Sequence, residues 1–303
     1  MANIKAYGIL VFVMLIWGIN VPAVKYLTSN ASPITMTSLR IFIAAIVVFI
    51  ILFSLGIVRR LTRTEWKYVL IGSLLNVVLH HSLMSIGVSK TTSANASLII
   101  GTGPILTAVL GTLLLKNLPT IIQWIGFIIG MLGIVVAVIF TGGETALLSA
   151  GDAFVFFSIF SQVFSFIIIS KASKTMDPRL LTAYMFLIGS FTLAVLSLLL
   201  EPSGFKELPY SNLQFWAVLI GSGAIATALG HMLYNNTIPQ VGAAKSSIFI
   251  NLNTLFALIG SAILLGEPIT VIHWISLTLI IFGVLLGSGA LEHFIQYRRR
   301  ELK

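Results

Sequence analysis

Long apolar runs are the feature that most constrains this chain. Ten runs of about 20 residues follow one another along the 303-residue sequence, and each is long enough to cross ~30 Å of hydrocarbon. Only 9% of the residues are charged, against roughly 25% in an average soluble domain. Because a single soluble core could not bury so much apolar surface, we expect an all-α integral membrane protein.

The runs form two sets of five. The first set lies at roughly 6–26, 34–57, 68–88, 93–115 and 121–140, and the second at roughly 152–171, 180–200, 213–236, 243–265 and 271–289. A hydrophilic, turn-rich break at 141–145 separates them. We therefore predict a first unit at 1–143 and a second at 144–303. The first apolar run is interpreted as a retained span and not as a cleaved signal peptide.

The two units repeat one sequence at a constant shift of 150 positions, which aligns His81–Gly133 with His231–Gly283 without gaps. The identical pairs include His81/His231, Leu83/Leu233, Ala94/Ala244, Ser97/Ser247, Trp124/Trp274, Ile125/Ile275 and Gly133/Gly283. A duplicated apolar unit with polar residues at matched depths is typical of secondary transporters.

Lys and Arg residues predict the orientation, because basic loops stay cytoplasmic. The basic segments hold Arg59, Arg60, Arg63 and Lys67 after span 2, Lys171, Lys174 and Arg179 after span 6, and Arg298, Arg299, Arg300 and Lys303 at the C-terminus. The opposite loops carry Lys90 and Lys206 together with Glu144, Glu201, Glu207 and Glu267. Both termini are therefore expected in the cytoplasm of a bacterium, with the chain in its plasma membrane.

Because each unit has an odd number of spans, five, the second unit enters the membrane in the opposite orientation to the first. The loop after span 1 is uncharged, whereas its repeat equivalent after span 6 is basic. The loop after span 2 is basic, whereas its equivalent after span 7 carries Glu201 and Glu207. Repeated sequence with inverted charge predicts two inverted five-helix repeats around a central cavity.

Polar side chains inside the spans predict a binding site, because each is costly in hydrocarbon without a partner or a watery cavity. Thr227, His231 and Asn235 share one helix face at i, i+4 and i+8. The candidate substrate-binding residues are Trp17, Asn20, Asn76, His81, Gln162, His231, Tyr234, Asn235 and Asn251. The aromatic rings would contact the solute and the amides and imidazoles would orient it. The alternative is that these groups only bond across helix contacts.

Histidine is the candidate proton carrier, because no Asp or Glu lies in the middle of any predicted span. Its ordinary pKa is near physiological pH, so protonation of His81 or His231 could couple transport to the proton gradient. An organic cation would lack a counter-charge, although aromatic faces could supply cation–π attraction.

Prolines, glycines and two cations carry further expectations. Pro22 and Pro104 each free a backbone carbonyl, which suggests either a cavity or a structural kink. The glycine pairs 126/130 and 283/287 predict close helix packing. Lys25 and Arg40 are expected to extend towards the interface.

Several function classes are disfavoured. The sequence has no cysteine, which excludes disulfides and thiolate metal sites, and we predict neither a metal nor a cofactor. The basic residues lie in short loops and at the ends, so nucleic-acid binding is not expected. An intramembrane enzyme is not expected either, because His80 and His81 are adjacent and no carboxylate accompanies them.

The first spans resemble a known family. Trp17-Gly18-Ile19-Asn20 through Lys25, then Pro33 and Leu39-Arg40, resemble the start of EamA-type carriers of the drug/metabolite transporter superfamily. Leu264-Leu265-Gly266-Glu267-Pro268, followed by Trp274 and Gly283, resembles that family's spans 9 and 10. The resemblance implies ten helices around a cavity lined by spans 1, 3, 4, 6, 8 and 9, alternating access, and export of amino acids or related metabolites.

The sequence thus predicts a secondary transporter that exports small metabolites such as amino acids, with lipid and a small solute as its partners. The alternatives are a multidrug or organic-cation exporter, a small-solute importer, a channel or a membrane sensor. The transported solute, the coupling ion and the choice between monomer and homodimer stay open.

Overall fold

A computed structural model of the chain describes residues 2–91, 96, 99–115, 118–141, 149–210, 212–253, 255–257 and 271–288. Within these ranges the secondary structure is helical, with turns between the helices and no strand. Residues 142–145 of the predicted break at 141–145, the 264–268 motif and the basic C-terminal tail lie outside the described residues.

The described part of the first half contains six α-helices. They are α1 (Ala2–Asn30), α2 (Pro33–Ser54), α3 (Arg63–Gly72), α4 (His80–Lys90), α5 (Gly103–Leu115) and α6 (Ile121–Thr141). A π-helical segment, Ser73–Leu79, joins α3 to α4. The three elements form one continuous apolar helix, Arg63–Lys90.

The second half has the same order of elements. Its helices are α7 (Ala150–Ala172), α8 (Pro178–Leu200), α9 (Leu213–Gly221), α10 (Gly230–Val241), α11 (Ala243–Ser247) and α12 (Val271–Gly287). A second π-helical segment, Ser222–Leu229, joins α9 to α10, and a 3-10 turn, Ile248–Ile250, follows α11.

Length and composition identify the membrane spans. Among the described residues, six helices are long and apolar enough to cross a bilayer: Ile4–Asn30, Pro33–Ser54, Arg63–Lys90, Ala150–Ala172, Pro178–Leu200 and Leu213–Val241. Large apolar side chains such as Phe53, Phe191 and Leu199 are more than half exposed, which suits contact with lipid and not with water. The chain is a multi-pass membrane protein.

Helices from the two halves pack in pairs. Helix α1 packs against α10, α2 against α8, α4 against α7, and α6 against α12. At the last contact Gly126 and Gly130 lie against Gly283 and Gly287, and a Cβ atom on Gly126 would come within 2.8 Å of the Gly283 carbonyl oxygen. The close packing predicted from the glycine spacing is confirmed.

The two π-helical segments occupy matched positions. They end at Leu79 and Leu229, which are 150 residues apart. A π-helical turn holds an extra residue and changes the direction of the side chains that follow, and such turns are frequent at functional sites. His81 and His231 follow two residues after the ends of these segments.

Proline acts differently in α1 and near α5. Pro22 lies inside α1, which continues to Asn30. Pro104 is the second residue of α5 and follows a turn at Gly101–Thr102, where the Thr102 amide donates to the Ile99 carbonyl at 3.0 Å. The apolar run at roughly 93–115 is therefore interrupted by that turn and is not one continuous helix.

Ion pairs lie at the starts of two helices. Glu65 closes a capping box with Thr62 at the start of α3 and also pairs with Arg59 in the preceding loop. This hydrogen bond raises the pKa of the Arg59 guanidinium. Asp177 caps α8 and pairs with Arg179 at 2.6 Å. These carboxylates begin their helices with charge that suits the positive end of the helix dipole.

Candidate functional site

Trp17 of α1 is held against α10. Its ring centroid lies 4.7 Å from that of His231 and 5.2 Å from that of Tyr234. The indole Nε1 donates to the carbonyl of Ala226, in the second π-helical segment, at 2.9 Å. Gly230 lets the ring approach, since a Cβ atom there would come within 3.1 Å of the Trp17 Cδ1 atom. Trp17 therefore has one fixed position between the two helices.

The repeat-related histidines meet. The ring centroids of His81 on α4 and His231 on α10 are 5.2 Å apart in an edge-to-face arrangement, and both residues are buried. Phe186 of α8 adds an edge contact with His231 at 5.7 Å. Phe166 of α7 contacts Tyr234 at 5.0 Å. We call Trp17, His81, His231, Tyr234, Phe166 and Phe186 the central cluster.

Arg40 lies beside this cluster and is only 4% exposed. Its Nη1 donates to the Thr227 hydroxyl at 3.2 Å, and its Nη2 donates to His81 Nδ1 at 3.3 Å. The expectation that Arg40 extends towards the interface is wrong. Arg40 is seven residues after Pro33, which places it about 10 Å along α2 at 1.5 Å per residue. The acceptors that it reaches, on Thr227 and His81, lie in the interior of the protein.

Lys25 behaves differently from Arg40. It is partly buried, and its Nζ donates to the backbone carbonyl of Val88 at the end of α4, at 2.8 Å. Lys25 thus has an acceptor close to the C-terminal end of α1, whereas Arg40 reaches the central cluster.

His80 points away from His231 and towards α7. The Gln162 amide donates to His80 Nε2 at 2.9 Å, so Nδ1 carries the proton and donates to the Ser158 hydroxyl at 2.8 Å. The His80 and His81 ring centroids are 4.6 Å apart. Gln162 is therefore joined to the central cluster through His80.

Four other candidate residues lie at contacts outside the central cluster, and three of them form hydrogen bonds there. Asn20 accepts from Ser222 at 2.6 Å, Asn76 donates to Ser165 at 2.7 Å, and Asn235 donates to Thr182 at 3.0 Å. Asn251 lies against Gly130 of α6, where a Cβ atom would come within 3.6 Å of its Cγ atom. The structure brings together Trp17, His81, His231 and Tyr234, with Gln162 adjacent, and places the four asparagines at other helix contacts.

Several buried polar atoms around the central cluster have no hydrogen-bond partner among the described residues. They are Arg40 Nε, His81 Nε2, His231 Nδ1 and the Tyr234 hydroxyl. Buried polar groups are almost always hydrogen-bonded in native proteins, and leaving one unpaired costs roughly 1–3 kcal/mol. Unpaired atoms from three helices thus converge on one region, and a polar solute could satisfy them.

Sequence reasoning left Arg40 and Thr227 out of the candidate site. Thr227 shares a helix face with His231 and Asn235, so its position was recognisable. Arg40 could have been found by counting its distance from the helix start, because a position about 10 Å inside a span is deep for a charged group.

A separate groove of about 490 Å³ lies between the Arg63–Lys90 helix and α7. Its walls are apolar, with Leu75, Leu79, Leu83, Phe157, Phe160 and Phe164 among them. Its hydroxyl, on Ser161, already donates to the Leu75 carbonyl at 2.8 Å. The groove offers little to orient a polar solute, unlike the central cluster.

The sequence model of the EamA-like transporter family matches this chain twice, over residues 4–139 and 149–289. The chain belongs to the EamA-like transporter family. The two matched segments together cover the helices that carry the central cluster.

Relatives of this EamA-like chain are also named as transporters. It is 28% identical over 301 residues to "Uncharacterized transporter YyaM" of Bacillus subtilis, with 96% of each chain covered. It is 26% identical over 284 residues to "Uncharacterized transporter YvbV" of the same organism, covering 92% of this chain and 90% of that protein. An "Uncharacterized transporter" of Archaeoglobus fulgidus is 26% identical over 285 residues, covering 92% and 97%.

A solved structure supports the fold of the EamA-like chain. A chain described as "Crystal structure of protein" superposes with a TM-score of 0.78 at 16% identity, covering 94% of this chain and 98% of the other. At this identity the likeness concerns the fold alone.

Proposed function

We propose that this EamA-like chain is a secondary carrier that binds a small solute at the central cluster and exports it by alternating access. Small metabolites such as amino acids are the proposed cargo. The observation that supports this proposal most strongly is the contact between His81 and His231, whose ring centroids are 5.2 Å apart, with unpaired polar atoms beside it. A site built from matched residues of two repeats is typical of secondary transporters.

The proposed architecture is ten spans in two inverted repeats, 1–143 and 144–303. The pairing of helices across the halves and the matched π-helical segments support it. Loop contacts agree with the charge-based topology. Glu201 bonds to the α2 start at Thr35, and Tyr184 of α8 bonds to the Arg59 carbonyl, so each contact joins a loop to a helix end assigned to the same side. Both termini would be cytoplasmic.

The proposed substrate-binding residues divide into two groups. Trp17, His81, His231 and Tyr234 would contact the solute directly, with Gln162 positioning His80 beside them. Asn20, Asn76, Asn235 and Asn251 would enter the site only in another conformation, because their present contacts are with other helices. Alternating access requires such a second arrangement.

A transport assay tests the carrier proposal. Purified protein in liposomes should exchange a labelled amino acid from a broad panel, and cells that contain the protein should release more of that compound. Proteoliposomes that move no panel member above protein-free liposomes would contradict the proposal. Unitary currents in bilayer recordings would instead indicate a channel. Loading one side at a time distinguishes export from import.

Proton coupling through His81 or His231 is a second part of the proposal. The titratable or charged groups that face them are Arg40, His80 and Tyr234. Replacing both histidines by asparagine in the liposome assay should abolish the pH dependence of transport. If the double variant transports with an unchanged pH dependence, histidine coupling is wrong although the carrier proposal stands.

An organic-cation exporter is less favoured by the structure. Arg40 places a positive charge beside the central cluster, and a like charge at short range opposes binding of a cationic solute.

A further inference from the structure

Arg40 is a buried cation whose carboxylate partner is missing among the described residues. Four of the described acids bond elsewhere: Glu65 with Arg59, Asp152 with Thr91, Asp177 with Arg179, and Glu201 with Thr35. The fifth, Glu207, is exposed. Buried charges in proteins are normally paired, because removing a charge from water costs several kcal/mol. We therefore expect an anion to bind at Arg40.

The hydrogen bonds of Arg40 determine which donors are free. A guanidinium can only donate, so His81 Nδ1 must accept from Arg40 Nη2 and the His81 proton resides on Nε2. His81 Nε2 and Arg40 Nε have no partner in the described part of the chain. The hydrogen-bonded pair of Arg40 and His81 thus keeps two N–H donors, one of them charged, that have no acceptor among the described residues.

We infer that Arg40 and His81 bind the carboxylate of an organic anion, whose apolar body contacts the rings of the central cluster. This inference rests on the proposed carrier function and names its substrate class. Guanidinium groups bind carboxylates through charge-assisted, often paired hydrogen bonds. Trp17, Phe186 and Phe166 supply apolar contact, while His231 Nδ1 and the Tyr234 hydroxyl can bond a second polar group.

A binding experiment on the purified full chain in detergent tests the inference. The probes are 3-phenylpropionate, its neutral amide 3-phenylpropanamide, and inorganic phosphate, and binding is measured by calorimetry and by the thermal unfolding midpoint. We expect 3-phenylpropionate to bind at least about tenfold more tightly than the amide or phosphate, because only it offers a carboxylate on an apolar body. Equal binding of the amide or of phosphate, or no binding of 3-phenylpropionate, would overturn the inference.

Two variants separate a ligand role from a structural role. Arg40→Gln should lose the preference for 3-phenylpropionate over its amide. Lys25→Gln, a matched control, should keep it, because Lys25 already bonds to the Val88 carbonyl. Retained preference in Arg40→Gln would overturn the inference.

The thermal stability of the ligand-free Arg40 variant is the second measurement that tests the inference. Arg40→Met should unfold at the same temperature as the wild type or at a higher one, because it removes an unpaired buried charge. A clearly lower midpoint in ligand-free Arg40→Met, together with unchanged 3-phenylpropionate binding, would assign Arg40 a structural role and overturn the inference.

Transport of neutral solutes without carboxylate preference would overturn this inference alone, whereas carboxylate binding without any transport would overturn the carrier proposal alone.

Discussion

Two contacts between the halves of this molecule have opposite character. Helices α6 and α12 meet through Gly126, Gly130, Gly283 and Gly287, with backbone against backbone. The central cluster meets through aromatic and imidazole rings and leaves polar atoms unpaired. Both contacts come from the same repeated sequence, since Gly133/Gly283 and His81/His231 are identical pairs at the same shift of 150 residues.

The difference indicates how the two contacts are used. Glycine contacts allow close van der Waals packing of backbone against backbone, so the α6–α12 contact should mainly stabilise the fold. The unpaired atoms of the central cluster reduce stability and gain a partner only when a solute binds. Substitutions at the first contact should therefore affect folding, and substitutions at the second should affect transport.

The largest effect is expected at the glycine contact. Gly283→Leu should destabilise the protein by at least ~3 kcal/mol, because even a Cβ atom there would collide with the Gly130 backbone. The yield of monodisperse protein in detergent and its unfolding midpoint measure this. Gly8→Leu is the control, since nothing lies within 4 Å of a Cβ atom at Gly8. Normal folding of Gly283→Leu would show that the contact is not tight.

A smaller stability effect with a large functional effect is expected at Gly230. Gly230→Ala should displace the Trp17 ring, cost about 1–3 kcal/mol and lower transport in liposomes at least about tenfold. Gly221→Ala, in the same continuous helix but with open space around its Cβ position, should leave transport unchanged. Equal transport by the two variants would mean that the position of Trp17 does not matter.

The smallest effect is expected at the start of α2. Glu201 accepts from the backbone amides of Ile34 and Thr35 at 3.0 and 2.8 Å. Glu201→Gln should lower the free energy of unfolding by about 1–2 kcal/mol, because the single amide oxygen keeps one neutral bond and the other backbone amide loses its acceptor. The exposed Glu207 provides the comparison, and Glu207→Gln should have no measurable effect. If both variants unfold alike, the Glu201 contact adds nothing to stability.

The sequence predicted the parts of this structure that depend on composition and spacing. The glycine pairs predicted close helix packing, which is found at the α6–α12 contact, and apolar length predicted helices that are long enough to span a membrane. The position of Arg40 was not predictable from its residue type, because an arginine in a span can either extend to the interface or turn inwards. The acceptors that decide this, Thr227 and His81, are distant in sequence.

The π-helical segments and the bonds of the asparagines were also beyond sequence reasoning. Hydrophobic periodicity does not distinguish a π-helical turn from an α-helical one over seven or eight residues. Asn235 shares a helix face with His231, yet it bonds to Thr182 of α8. A residue's helix face limits its neighbours, but the packing of other helices decides which one it meets.

The central claim is that two inverted repeats bring matched histidines together, and single-cysteine labelling tests it most directly. The sequence has no cysteine, so each introduced thiol is the only one. Ser29→Cys and Ser203→Cys should react with a membrane-impermeant maleimide in intact cells, whereas Ser54→Cys and Thr175→Cys should react only after permeabilisation. These four positions are exposed and lie in, or at a helix end next to, two pairs of repeat-equivalent loops. If equivalent loops are labelled from the same side, the repeats are not inverted and the account is wrong.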